Sequence, residues 1–265
     1  MTTKTYLLAI REDHLPDLKA SNGVAARSTF RVTRTGSVAV LPIHGAMVKD
    51  SPWWGELLTD HLNETFKMLA DDSAVSAILL DVHSPGGEVM GLPEFAASVA
   101  EASKHKPVYA LADSMMASGA YWIGSQAKRI YASPSAEIGS VGVIAMHMDV
   151  SAMAEAMGVK VTVVKSVKNK AEFNQFEPLS AEADARLRSV VSDIHDDFIK
   201  AIASGRRMSM QTVRETFGDG RVFSAKEALK IGMIDGIATF GEVMDMLQAK
   251  GRAGSSGKAS AMVGV

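Results

Sequence analysis

Asp113-Ser-Met-Met-Ala-Ser-Gly-Ala-Tyr-Trp122 is the stretch on which the reading of this chain turns. It follows Pro107-Val-Tyr-Ala-Leu-Ala112, a β-branched and aromatic run that reads as a strand, and it leads into an amphipathic segment reaching about Gln126. Between them Ala117, Ser118, Gly119 and Ala120 are small enough for a tight turn. The pattern predicts a strand, a turn and a helix start, with the Ser118 hydroxyl at the turn. Unpaired N–H groups and the dipole at a helix N-terminus favour developing negative charge, which suits a serine beside an oxyanion. The plainer alternative is that Ser118 caps the helix, the commoner use of serine there.

Two further stretches bear on that choice. Val75-Ser-Ala-Ile-Leu-Leu-Asp-Val82 is a nearly continuous apolar strand running into His83-Ser-Pro-Gly-Gly-Glu88. Gly86 and Gly87 let the backbone turn and expose N–H groups at the strand's carboxyl end, where open α/β sheets place their ligands. Downstream, Val159 to Val164 reads as another strand, followed by a loop, Lys165-Ser-Val-Lys-Asn-Lys170-Ala-Glu-Phe-Asn-Gln-Phe176, that carries Lys165, Lys168 and Lys170 with Phe173 and Phe176. A strand at Ser37–Gly45, helical spacing between Trp53 and Leu69, a helix at 93–103 and the strand at 107–112 imply parallel β-sheet units with right-handed crossovers and flanking helices. Short strands at Arg129–Ala132 and Val141–Met146, a helix at Ser151–Met157, a long helix from Ser180 to Ser204, two shorter ones near 209–216 and 224–230, and a last helix to about Ala249 continue the α/β alternation. Residues 1–36 read as a polar arm with a short helix or strand, 37–250 as one domain, and 251–265 as a flexible, linker-like tail.

The 265 residues, 47% of them hydrophobic, suffice for one substantial core. A net charge of −2 with dispersed basic residues gives no footprint for nucleic acid. With no cysteine the chain has no disulfide and no thiolate nucleophile, a composition compatible with a reducing cytosol. The apolar run Leu7 to Ile10 is too short for a signal-peptide core, and no window is long enough for a membrane span. No His/Asp/Glu cluster has metal-ligand spacing and no phosphate-binding loop is present, so neither metal nor cofactor is expected.

Serine turn, glycine turn and lysine loop, together with Ile138-Gly-Ser-Val-Gly-Val143, resemble the serine–lysine peptidases of the signal peptide peptidase A family (peptidase family S49), and among them the phage head maturation proteases. The resemblance runs from about Ser37 to Leu247 and implies an α/β Clp protease/crotonase-like fold. It implies Ser118 as nucleophile and Lys170 as general base, with Lys168 the alternative if the loop shifts by two residues. It further implies Ser140 as the residue that orients the lysine amine, and Gly119 with Gly86 or Gly87 as the oxyanion hole. The substrate would be a polypeptide, a scaffold or capsid protein in phage head assembly. The setting would be the host cytoplasm or an assembling procapsid, or, for a cellular chain, soluble cytoplasmic degradation of signal-peptide-like polypeptides.

A lysine base works only as the free amine, so it must be desolvated or set beside other positive charge. Phe173 and Phe176 would dry it, and Lys165 and Lys168 would add charge. A strand-to-helix loop of this composition is hard to bury on its own sheet, and relatives of the single-domain type form rings in which the lysine serves an adjacent subunit. A cyclic homo-oligomer with shared active sites is therefore expected. Clp proteases pair the same serine turn with histidine and aspartate, which makes His147 with Asp149 the competing base. His83 stands where cellular relatives usually have asparagine before Ser-Pro-Gly-Gly. The readings from other classes are a crotonase-like acyl-CoA enzyme, which would not need the lysine loop, and an inactive assembly scaffold, which would need neither Ser118 nor Lys170.

Overall fold

A single strand forks the main sheet, and the serine turn lies at the end of that strand. The computed structural model describes residues 6–10, 31–49 and 57–260. In chain order the elements begin with β1 (Tyr6–Ile10), β2 (Thr33–Thr35), β3 (Val38–His44), β4 (Met47–Val48) and β5 (Leu57–Leu58). Then come α1 (Thr59–Asp71), β6 (Ala77–Ser84), β7 (Gly86–Glu88), α2 (Leu92–His105), β8 (Val108–Ala117) and α3 (Gly119–Gly124). These lead to β9 (Arg129–Ala132), β10 (Glu137–Gly139), β11 (Ile144–Met146), α4 (Ser151–Ala156) and α5 (Ala181–Arg206). The last are α6 (Met210–Thr216), β12 (Val222–Ser224), α7 (Ala225–Lys230), β13 (Gly236–Ile237) and α8 (Phe240–Ser260).

In the larger sheet β3, β6 and β8 run parallel, as the βαβ alternation predicts. The first half of β8 pairs with β9 and its last three residues, Met115–Ala117, pair with β10. The split follows from a bulge. Val82 pairs with Ala112 but His83 pairs with Met115, so two extra residues of β8, Asp113 and Ser114, turn its end onto a new neighbour. The smaller sheet has the order β11-β1-β7-β4-β5, and β1, within the segment read as an arm, lies between β11 and β7.

Alternation along the buried strands feeds two cores. Leu41, Ile43, Ile78, Leu80 and Val82 pack against α1, α2, α3 and α5, while Val40, Leu79, Tyr109 and Leu111 meet Val243, Met244 and Leu247 of α8 on the other face. The helices predicted near 93–103, 180–204, 209–216 and 224–230 form close to those bounds, and Ser180 caps α5 by accepting a hydrogen bond from the Ala183 N–H. The helical spacing from Trp53 becomes α1 from Thr59, and residues 50–56 lie outside the described residues.

Two expectations change. No strand forms at 159–164, because no neighbouring edge pairs with it: Val164 is 90% exposed, and β-propensity without a partner strand makes no sheet. The stretch from Gly251, read as linker, continues α8 to Ser260; once Val243, Met244 and Leu247 dock the first turns, each further residue adds a hydrogen bond at little nucleation cost. Residues 261–265 lie outside the described residues. Among the described residues no helix is long and apolar enough to cross a membrane.

The C-terminal end of α5 is pinned by Arg206, which is nearly buried. Its Nη1 and Nη2 donate to the two carboxylate oxygens of Asp235 at 3.0 and 3.3 Å, and its Nε donates to the Gly232 carbonyl at 3.1 Å. Burial works to raise the Asp235 pKa, but the Arg206 hydrogen bonds, the Ile130 N–H and the charges of Arg206 and Arg129 outweigh it, so the carboxyl lies below its ordinary value. A carboxyl lowered by folding contributes stability that is present above its unfolded pKa and lost as pH falls through the folded one. Asp235→Ala is therefore expected to cost about 3 kcal/mol at neutral pH, measured by urea denaturation. The gap to the unaltered chain should narrow as pH drops below about 4. An equal gap at pH 7 and pH 3 would show that the ion pair is not its source.

Candidate active site

Ser118 is the one residue between β8 and α3. Its φ of 51° and ψ of −122° lie where an L residue pays about 1–3 kcal/mol. A sharp, strained strand-to-helix turn of this kind is how α/β hydrolases present a nucleophilic serine. Ser118 occupies the N-cap position, yet its side chain makes no capping bond; the hydroxyl instead donates to the Gly142 carbonyl at 3.4 Å. Capping therefore does not account for it. Because α3 has only six residues, the turn offers the Gly119 N–H rather than the field of a long helix.

The strain is held by bonds on both sides. The Ser118 N–H donates to the Gly139 carbonyl at 2.7 Å, and the Trp122 N–H donates to the Ser118 carbonyl at 3.0 Å. Trp122 stacks on Phe198 with centroids 4.4 Å apart and planes 6° from parallel. The Tyr121 hydroxyl donates to the Met233 carbonyl at 2.8 Å, and burial pushes this phenol far above its usual range, so it stays a neutral donor.

The glycine turn lies against the serine turn. Gly86 has φ 104°, and a Cβ there would come within 2.9 Å of the Gly119 nitrogen, so only glycine leaves that N–H clear. The two glycines then part in role. The Gly86 N–H donates to the buried Ser84 hydroxyl at 3.2 Å, and Ser84 in turn donates to the Gly45 carbonyl at 2.6 Å. Gly87 packs so closely on Met47 that a Cβ would meet its carbonyl oxygen at 1.9 Å. Ser84, whose hydroxyl fixes the turn, and Gly142, whose carbonyl holds the serine, were not singled out from the sequence; Ser84 had a signal, the serine of Ser-Pro-Gly-Gly, and Gly142 had none beyond its place in Ile138–Val143.

Ser140 is close to this constellation through its backbone. It follows Gly139, which pairs with Ala117 and accepts the Ser118 N–H, and its own N–H donates to the Arg221 carbonyl at 2.7 Å with φ 54°. The lysine loop differs from its expectation. Lys170 is exposed, and its ammonium makes no hydrogen bond or ion pair with a described residue. Lys165 is paired with Glu177 at 2.6 Å and Lys168 with Glu182 at 2.5 Å, which cancels the positive charge expected around Lys170. Phe176 is 37% exposed and lines a cavity of about 460 Å³ with Ser151, Ala154 and Val161, so it does not dry the lysine within one chain.

The histidine alternative is not assembled. His147 Nε2 is buried with no partner among the described residues, and Asp149 Oδ1 accepts from the Ser151 N–H at 2.9 Å rather than from an imidazole. His83 bonds Ser114 through Nδ1 and lies edge-on to His44, whose imidazole pKa is raised by its 3.0 Å hydrogen bond to Asp81. Among the described residues no group of three or more His, Cys, Asp or Glu could hold a metal ion.

Comparison with known proteins gives the family. The family model for peptidase family S49 matches residues 100–253. A protein of Methanocaldococcus jannaschii, named as a candidate protease, is 31% identical over 76% of this chain and 61% of its own length. A candidate signal peptide peptidase SppA of Enterococcus faecium is 31% identical over 69% of this chain and 53% of its own. The capsid assembly protease C of Escherichia phage lambda is 30% identical over 75% of this chain and 46% of its own. The chain thus spans about half the length of these relatives. With the family model matched over more than half of its residues, including the serine turn and the lysine loop, the chain belongs to peptidase family S49.

Proposed function

We propose that this chain is a serine endopeptidase that works through an acyl-enzyme, with Ser118 as nucleophile and Lys170 as general base. The observation that carries the reading is the strained Ser118 turn, its hydroxyl free of any capping bond and its Gly119 neighbour kept clear by Gly86, in a chain of this family. Ser118 Oγ attacks the scissile carbonyl carbon while the lysine amine takes its proton, the C–N bond breaks with that proton passing to the leaving amine, and water then releases the acyl group. The oxyanion is received by the Gly119 N–H and by a second donor from Gly86 or Gly87, of which the Gly86 N–H would first have to leave Ser84. Ser140 orients the lysine amine. The relative in phage lambda, a capsid assembly protease, supports scaffold or capsid protein as the substrate and the host cytoplasm or procapsid as the place.

Lys170 meets Ser118 across subunits in this reading. Its exposure within one chain supports this, as does the apolar surface of the same region, where Met153, Met157, Val159, Val161 and Val167 are exposed. A ring of like subunits would cover that surface and desolvate the amine.

Ser118→Ala keeps the Cβ and the backbone strain and should lower peptide hydrolysis at least about 1,000-fold with the fold intact; Lys170→Arg should be equally inactive because a guanidinium cannot act as base. Casein or capsid-protein cleavage followed by mass spectrometry checks both, and near-normal activity of either variant would remove that residue from the mechanism. Mixing Ser118→Ala with Lys170→Ala subunits should restore part of the activity. If exchanged subunits, verified by native mass spectrometry, stay inactive, both residues act within one chain.

A further inference from the structure

The chain's own β1 lies where an extended substrate would lie. It runs antiparallel to two strands at once. Leu8, Ala9 and Ile10 pair with Glu88, Gly87 and Gly86 on one side, and Tyr6, Leu7 and Leu8 pair with Met146, Ala145 and Ile144 on the other. Without β1 the strands β7 and β11 face each other across a slot one strand wide, each with an open edge. Both edges belong to the serine site: β7 carries the glycine turn, and β11 starts two residues after Gly142, which holds the Ser118 hydroxyl.

The register sets which residue of the strand faces the serine turn. A Cβ built on Gly86 would strike the Ala9 carbonyl oxygen at 2.1 Å, and one built on Gly119 would meet the same oxygen at 3.0 Å. The Ala9 carbonyl therefore sits between the two glycines that flank the candidate oxyanion site. The Cβ of Ala9 lies 3.6 Å from the position of a Cβ on Gly119, Leu92 fills the adjacent space, and both Ala9 and Ser118 are fully buried. A residue much larger than alanine does not fit there.

We propose that the slot between β7 and β11 is a groove for an extended polypeptide carrying an alanine-sized residue over Gly119, and that Tyr6–Ile10 fills it as a built-in occupant that closes the site in cis. Main-chain pairing to two edges recognises any extended segment, while the small position over Gly119 selects among them. An occupant on the same chain has the advantage of a high effective concentration, so outside polypeptides enter only when β1 is displaced. The groove assignment stands on the pairing alone; the closure of a peptidase site rests on the reading of Ser118 as nucleophile.

Two full-length variants test this, with a fluorescent peptide of residues 5–11 and a fluorophosphonate as probes. Leu8→Cys with Glu88→Cys places thiols on directly opposed residues of an antiparallel pair, whose Cα separation of about 4.5–5.5 Å a disulfide spans. The chain has no other cysteine to interfere. Oxidation should lock β1 and abolish peptide binding, and reduction should restore it; failure of the thiols to pair, or equal binding in both states, would overturn the proposal. Ala9→Arg should expel the strand and bind the peptide at least about tenfold more tightly than the unaltered chain, with Ser118 labelled faster by fluorophosphonate. Equal binding by Ala9→Arg and the unaltered chain would also overturn it. Tighter peptide binding with no labelling in either protein would keep the groove and refute Ser118 as the nucleophile.

Discussion

The conformation of Ser118 is the constraint on which the rest of the site depends. A non-glycine residue at positive φ persists only where its surroundings over-determine it. Here the bulge that adds Asp113 and Ser114 to β8 hands the end of that strand to β10, and β10 supplies the Gly139 carbonyl that receives the Ser118 N–H. On the helix side Tyr121 and Trp122 are buried at once, the first bonded to Met233 and the second stacked on Phe198 of α5. Two large aromatic side chains removed from water contribute more than the strain costs, at about 25 cal/mol per Å² of apolar surface. The long helix thus serves the serine turn from behind, through Phe198.

Order at the serine contrasts with openness at the lysine. The loop from Val159 to Leu179 is tied to the body by few contacts, among them the Val150 N–H to the Gln175 carbonyl at 2.8 Å and the Lys165–Glu177 pair. Val159, Val161, Val164 and Val167 are exposed on it, and Lys170 has no ion pair with a described residue. If Lys170 is the base, as proposed, it must be dry to work on a segment that is not dry alone, and activity would then be tied to assembly. Such a coupling would keep a peptidase of this kind idle until its subunits meet.

The sequence was legible where local signals and packing agreed. Strand runs such as Val75–Val82 and Pro107–Ala112 bury both faces, so their apolar content shows without knowledge of their neighbours. Ser118 on its own read as readily as a helix cap, and it stood out only with the glycine turn and the lysine loop beside it. The failures share a cause, which is dependence on a remote partner. Val159–Val164 has strand propensity but no edge to pair with, while Leu7–Ile10, a run too short to read, is a strand because residues 86–88 and 144–146 flank it. The engagement of Gly86 by Ser84 was hidden for another reason, since its partner is local but two adjacent glycines look alike until one N–H is seen to be taken.

The central claim is that the Ser118 hydroxyl is a nucleophile, and trapping it covalently tests this most directly. The assembled protein would be treated with a fluorophosphonate, digested and mapped by tandem mass spectrometry. The account predicts one phosphonate per chain, on Ser118, with loss of peptide hydrolysis in step with the fraction modified. An adduct on another residue that tracks the loss of activity, or full loss of activity with Ser118 unmodified, would contradict it.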